Sequence, residues 1–150
     1  MSLKKEKIIN TCKILLQQKI TDLKQALTSV NEAANNETKS TAGDKHETAK
    51  AMMQLEQEKL SNQLTILNTQ LNDLQKIDAN KVHSIVSNGS VVTTNNGVLF
   101  IGVGLGKITF DEKIVFTISF LSPLAKLLIG KKLNDAVKLN EINYTVLKIM

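Results

Sequence analysis

The sequence predicts an α+β chain. An N-terminal antiparallel α-helical coiled-coil hairpin spans residues 1–77, and a C-terminal antiparallel sheet domain with one short helix spans residues 78–150. Three observations carry this expectation. Apolar residues recur every seven positions through the first half. In the second half they recur every second position, between turn residues. A short polar stretch, "NNETKSTAGDK", divides the heptad-patterned part into two runs.

The first run places Ile9, Leu16, Leu23 and Val30 in one row and Cys12, Lys19, Ala26 and Ala33 in a weaker one, with Ile20 and Leu27 widening the stripe. It predicts a helix near 4–34. The second run places Met53, Leu60, Leu67 and Leu74 in a row flanked by Leu64 and Leu71, and predicts a helix near 46–75. Neither run contains Pro or an internal Gly, so nothing breaks either helix. At 1.5 Å per residue each is about 45 Å long. The short link forces the helices to be antiparallel neighbours, so the apolar seam closes within one chain and a monomer is expected. At the turn, "STAGDKHE" offers Thr41 or Asp44 as an N-cap for the second helix, with Glu47 three residues beyond Asp44 as a capping box requires.

Past a hinge near 76–81 the period changes. "HSIVSNGSVVTTNNGVLFIGVG" holds two Asn-Gly pairs, Asn88–Gly89 and Asn96–Gly97, which predict tight turns between β-rich runs. "KIVFTISF" predicts a strand with Ile114, Phe116, Ile118 and Phe120 on one face and Val115 on the other. In "SPLAKLLIG", Ser122 caps, Pro123 takes the first helical position and Gly130 ends a short helix. "AVKLN" and "YTVLKI" predict two further strands.

Composition narrows the function classes. The net charge is +5, carried by 19 Lys with no Arg. This balance suits an acidic partner or nucleic acid without requiring one. Without guanidinium forks, sequence-specific base reading is not expected. One cysteine, Cys12, excludes an internal disulfide and a thiolate metal cluster, and its place on the apolar stripe makes it a buried spacer. No run of apolar residues approaches membrane-spanning length, so a cytoplasmic protein with no membrane partner is expected.

Several features that resemble chemical sites fail in context. "GVGLG", Gly102 to Gly106, lacks the Lys-Ser/Thr of a phosphate loop and no long helix follows it, so turn or bulge glycines are expected. His83 has no metal-ligating companions in sequence. Asp44, His46 and Glu47 lie too close together for a tetrahedral zinc set. Magnesium differs, because it accepts carboxylates and retains open positions for another partner's ligands. Two carboxylates at the exposed end of a helical hairpin would supply such a partial set.

Two segments resemble the bacterial Gre transcript-cleavage factors. "GDKHETAK", Gly43 to Lys50, is similar to that family's coiled-coil tip, and "SPLAKLLIGKKLNDAVKL", Ser122 to Leu139, to its C-terminal signature. With the helical hairpin they cover nearly the whole chain. The resemblance implies an FKBP-like C-terminal domain that docks on RNA polymerase, with Ser122, Pro123, Lys131 and Lys132 contributing. It implies a hairpin that enters the secondary channel, close to nascent RNA. Asp44 and Glu47 match the tip acids, and the resemblance makes them catalytic in trans and transient ligands of a Mg²⁺ supplied in the polymerase active centre, with no stably bound cofactor. The implied function is an elongation factor stimulating Mg-dependent cleavage of backtracked RNA, in a transcription setting that also implies DNA binding. The alternatives are a non-cleaving secondary-channel regulator and a structural coiled-coil adaptor. The chain departs from the family pattern at Lys45, Thr48 and Ala51 near the tip and at Asn134, where the family has Gly. Prolyl isomerisation, suggested by fold alone, lacks an aromatic-lined pocket in a chain with four Phe, one Tyr and no Trp.

Overall fold

The computed structural model describes residues 4–38 and 43–150; the side chains of residues 37, 38 and 43–46 lie outside that description. Two long helices come first, α1 (Lys5–Thr38) and α2 (Gly43–Gln75). Six strands and one short helix follow: β1 (Val91–Thr94), β2 (Gly97–Gly102), β3 (Gly106–Phe110), β4 (Lys113–Ser119), α3 (Pro123–Leu128), β5 (Ala136–Leu139) and β6 (Ile142–Ile149). Because α2 already begins at Gly43, Asp44 lies inside its first turn instead of preceding it as a cap. Thr41, the other capping candidate, lies outside the described residues.

The chain divides into two compact units, and they cut across the sequence boundary at 77/78. One unit is Ile14–Leu71, the helical shaft. Its seam follows the heptads. Ile20 and Leu60 are buried, and Leu23, Leu27, Val30, Met53, Leu64 and Leu67 are half-buried, as expected where two helices have only each other for cover. Gln57 Nε2 donates to Asn31 Oδ1 at 2.6 Å, and Leu23 shares a shallow depression with Leu67, so the helices run antiparallel.

The other unit joins the chain up to Lys13 with Asn72–Met150. Its sheet has the order β3-β4-β2-β1-β6-β5. The expectation of an antiparallel sheet is corrected here: the sheet is mixed, because β2 and β4 pair in parallel, Val98 to Val115 through Gly102 to Ser119. The cause is the connection 103–105. It carries the chain past one strand position to the edge, where β3 forms, and β4 then returns into the gap antiparallel to β3. Hairpin turn signals in a sequence reveal local reversals but not which gap a strand fills.

Of the glycines of "GVGLG", Gly104 lies in this crossover, while Gly102 ends β2 and Gly106 begins β3. Gly106 sits at φ +79, and a Cβ on Gly104 would lie 3.3 Å from the Ser119 backbone nitrogen. Buried Thr117 ties the crossover down. Its Oγ1 accepts from the Leu105 N–H at 2.9 Å and donates to the Gly106 carbonyl at 2.8 Å. One sheet face carries Val92, Leu99, Ile101 and Val146, which pack with Ala125 and Leu128 of α3.

β4 has the alternation expected of it, with Ile114 and Phe116 on one face and Val115 on the other. Val115 is fully buried, whereas Ile114 and Phe116 are 42% and 39% exposed. The larger residues lie on the more open face of this strand. Ile118 and Phe120, further along, do join the α3-side core.

Candidate functional site

The two segments singled out by sequence belong to different compact units. At the shaft end, Glu47 and Thr48 lie in α2 and are exposed, as is Ala51 one turn later. The side chain of Asp44 lies outside the described residues, as do those of Lys45 and His46. Among the described residues no group of three or more His, Cys, Asp and Glu converges as a metal-binding cluster.

The second segment folds into a continuous set of local locks. Ser122 has an extended backbone and its Oγ accepts from the Ala125 N–H at 3.3 Å, which satisfies a donor of the first turn of α3. Pro123 occupies the first turn, where its missing N–H costs nothing. Gly130, at φ +91, ends the helix, and its N–H donates to the Val86 carbonyl at 2.8 Å. The Lys131 carbonyl accepts from the Val86 N–H at 2.9 Å, so the turn is sewn to residue 86 from both sides. Asp135 Oδ2 accepts from the Lys132 N–H at 2.8 Å. The Asn134 and Val146 N–H groups complete the set, donating to the Val146 and Asp135 carbonyls respectively, each at 2.8 Å. Ser122, Pro123 and Asp135 therefore have structural work that accounts for them, while the Lys132 side chain is exposed and that of Lys131 half-buried.

Asn134 stands at φ +73, a conformation that Gly takes without cost and Asn tolerates better than other side chains. The departure from the family pattern at this position thus preserves the backbone shape.

Among the described residues three groups have shifted ionisation. Burial pushes the Cys12 thiol up to about 11, in keeping with a packed spacer. Burial lowers Lys5, with Asp78 opposing that shift and Lys81 adding to it. Burial also lowers His83, assisted by the charges of Lys5 and Lys81. His83 Nδ1 lies 2.7 Å from Ser87 Oγ. Sequence reading missed Lys5 because it precedes the first apolar row; its position two residues before Lys7 in a basic N-terminus gave no sign of burial.

No helix among the described residues is long and apolar enough to cross a membrane. No family model and no curated protein matches the chain. Among solved structures it is similar to that of the transcription factor Gfh1, with 14% identity over 91% of this chain and 92% of that one, at a TM-score of 0.35. This finding corrects the functional expectation. Stimulation of RNA cleavage is not retained as the reading of this chain.

Proposed function

We propose that the chain is a regulator that binds RNA polymerase at its secondary channel without driving RNA cleavage. The supporting observation is the Ser122–Asp135 segment. The residues that resemble the family's C-terminal signature form one interlocked turn, and Asn134 retains the backbone conformation that the family's Gly serves. In this reading the mixed sheet domain is FKBP-like and docks on the polymerase, with Lys131 and Lys132 supplying the charged contact. Ser122 and Pro123 shape that surface by fixing the start of α3. The paired helices enter the channel and carry Asp44 and Glu47 towards nascent RNA and the active centre. Mg²⁺ takes six oxygen ligands, so two carboxylates would share the ion with ligands of the polymerase and would not hold it alone. Exposed Thr48 and Ala51, where the family pattern has Asn and an aromatic residue, leave the tip without its usual supporting groups.

The test uses core RNA polymerase of the same organism and the full chain. The expected outcome is retention at moderate salt, weakened in a K131A/K132A variant. Added to backtracked complexes with Mg²⁺, the chain is expected to leave the rate of 3′-end RNA shortening unchanged and to slow nucleotide addition. Failure to be retained overturns the reading, as does accelerated shortening.

A further inference from the structure

A polar pocket of about 440 Å³ lies where α2 ends, lined among others by Asp73, Lys76, Asp78, Lys81, His83 and Phe120. All its lining residues belong to the compact unit that contains the sheet. Next to it is Lys5, the one buried charged side chain among the described residues, at 6% exposure. Its Nζ donates to the Lys81 carbonyl at 3.0 Å. An ammonium has three donors. Among the described residues Lys5 makes this one hydrogen bond and no ion pair. Asp78 acts on this charge from beyond ion-pair distance while Lys81 adds like charge, so a further anion close by would lower the cost of burying it.

The rest of the cluster has the same bias. Lys5, Lys76 and Lys81 face two carboxylates, Asp73 and Asp78, and Asp78 Oδ1 is engaged by the Asn80 N–H at 2.9 Å. The Ser87 hydroxyl occupies Nδ1 of His83, which leaves Nε2 as the ring nitrogen available to a ligand. Asn88 adds an amide to the lining, and Ile77 and Phe120 form an apolar part of the wall. Three lysines against two carboxylates leave one excess positive charge, and protonation of His83 on binding makes it two, so a dianion with three terminal oxygens then matches both the charge and the number of donors. The apolar wall suits an organic substituent on the fourth oxygen.

We infer that this pocket binds a phosphate monoester, with its phosphate against Lys81, His83 and Lys76, the buried charge of Lys5 behind it, and its organic part against Ile77 and Phe120. Burial is the main cause that lowers His83, and the charges of Lys5 and Lys81 add to it; that added field is what such an anion would cancel.

The test titrates the full chain with inorganic phosphate and, separately, with adenosine monophosphate, against chloride at equal ionic strength. The C2–H resonances of the two histidines are followed by NMR, and heat by calorimetry. Saturable movement of the His83 resonance with a raised midpoint, and an unmoved His46 resonance, are expected. Tighter binding of the nucleotide assigns the apolar wall to its organic part; equal binding of the two ligands overturns that assignment. K81A, at an exposed position, is expected to weaken binding about tenfold, the loss of one charge-assisted hydrogen bond. K5M is expected to abolish binding, with circular dichroism confirming its fold. No saturable shift with either ligand, equal shifts at both histidines, or undiminished binding by K81A overturns the proposal.

Discussion

Gly89 and Cys12 show how closely single side chains are constrained in the sheet unit. Gly89 sits at φ +92, and a Cβ there would lie 2.8 Å from Ile77 Cγ2. Its N–H donates to the Ile101 carbonyl at 2.7 Å, which prevents the backbone from moving aside. Conformational strain and a clash then act together, and Gly89→Ala is expected to destabilise the protein by about 3 kcal/mol. The midpoint of urea unfolding would show it, and an unchanged midpoint would disprove the constraint. Cys12 is fully buried with its thiol raised to about 11. At pH 8 the thiol is therefore protonated as well as covered. A disulfide reagent is expected to modify it only at the rate of unfolding, with the rate rising sharply in urea. Rapid modification of the native protein would contradict this burial.

At the scale of elements, β4 shows what the sequence could and could not reveal. Alternation identified the strand, and its period is right: Val115 and Thr117 are buried, while Ile114 and Phe116 lie on the opposite face. Alternation alone does not say which face is more deeply covered. In this sheet both faces are partly covered, and β4 lies one strand from the edge. Its more open face tolerates an aromatic residue whose ring approaches Gly97, with 3.4 Å between Phe116 Cε2 and a Cβ placed there. Val115→Ala is expected to cost about 2 kcal/mol and Phe116→Ser less than that, measured side by side by urea unfolding. The reverse order would show that the Phe116 face carries the larger share of the packing. Turns divided in the same way. Asn88–Gly89 and the turn closing at Gly97 announced themselves by composition. The turns at Asp111–Glu112 and Asn140–Glu141 did not, although all four residues have positive φ. Asp and Asn favour that region, but each is followed here by Glu instead of Gly, so the hairpin dipeptide was incomplete. Of the candidate site, the Ser122–Gly130 helix was legible because capping chemistry is local. The pocket around Lys81 was not, because it draws on residues 73 to 120 and on Lys5.

For the whole molecule, burial along the helices is uneven although the periodicity is not. In the shaft Leu16, Ile20 and Leu60 are buried, but Leu23, Leu64 and Leu67 are only half-buried. Ile8, Ile9, Cys12 and Leu74 continue the same heptads yet are 0–2% exposed. These residues belong to the unit that contains the sheet, and the rest of that unit adds to the cover that the two helices give each other. Polar ties within that unit agree: Lys5 bonds the Lys81 carbonyl, and Lys7 pairs with Asp111 at 3.5 Å. The surface ion pair adds little to stability, but it marks where the first turns of α1 lie against the β3–β4 turn. A fragment of residues 78–150 would therefore expose apolar surface normally covered by Ile8, Ile9, Cys12 and Leu74. It is expected to lose cooperative unfolding and methyl chemical-shift dispersion. Removing 24–30 together with 58–64 instead deletes one heptad from each helix within the shaft, in register with the Asn31–Gln57 contact. That shortened chain is expected to keep dispersed methyl resonances for Val91, Val92 and Val115. A well-dispersed, cooperatively unfolding 78–150 fragment would show that the sheet needs no helix ends to complete its core. Collapse of the shortened chain would show that the sheet unit depends on the full shaft.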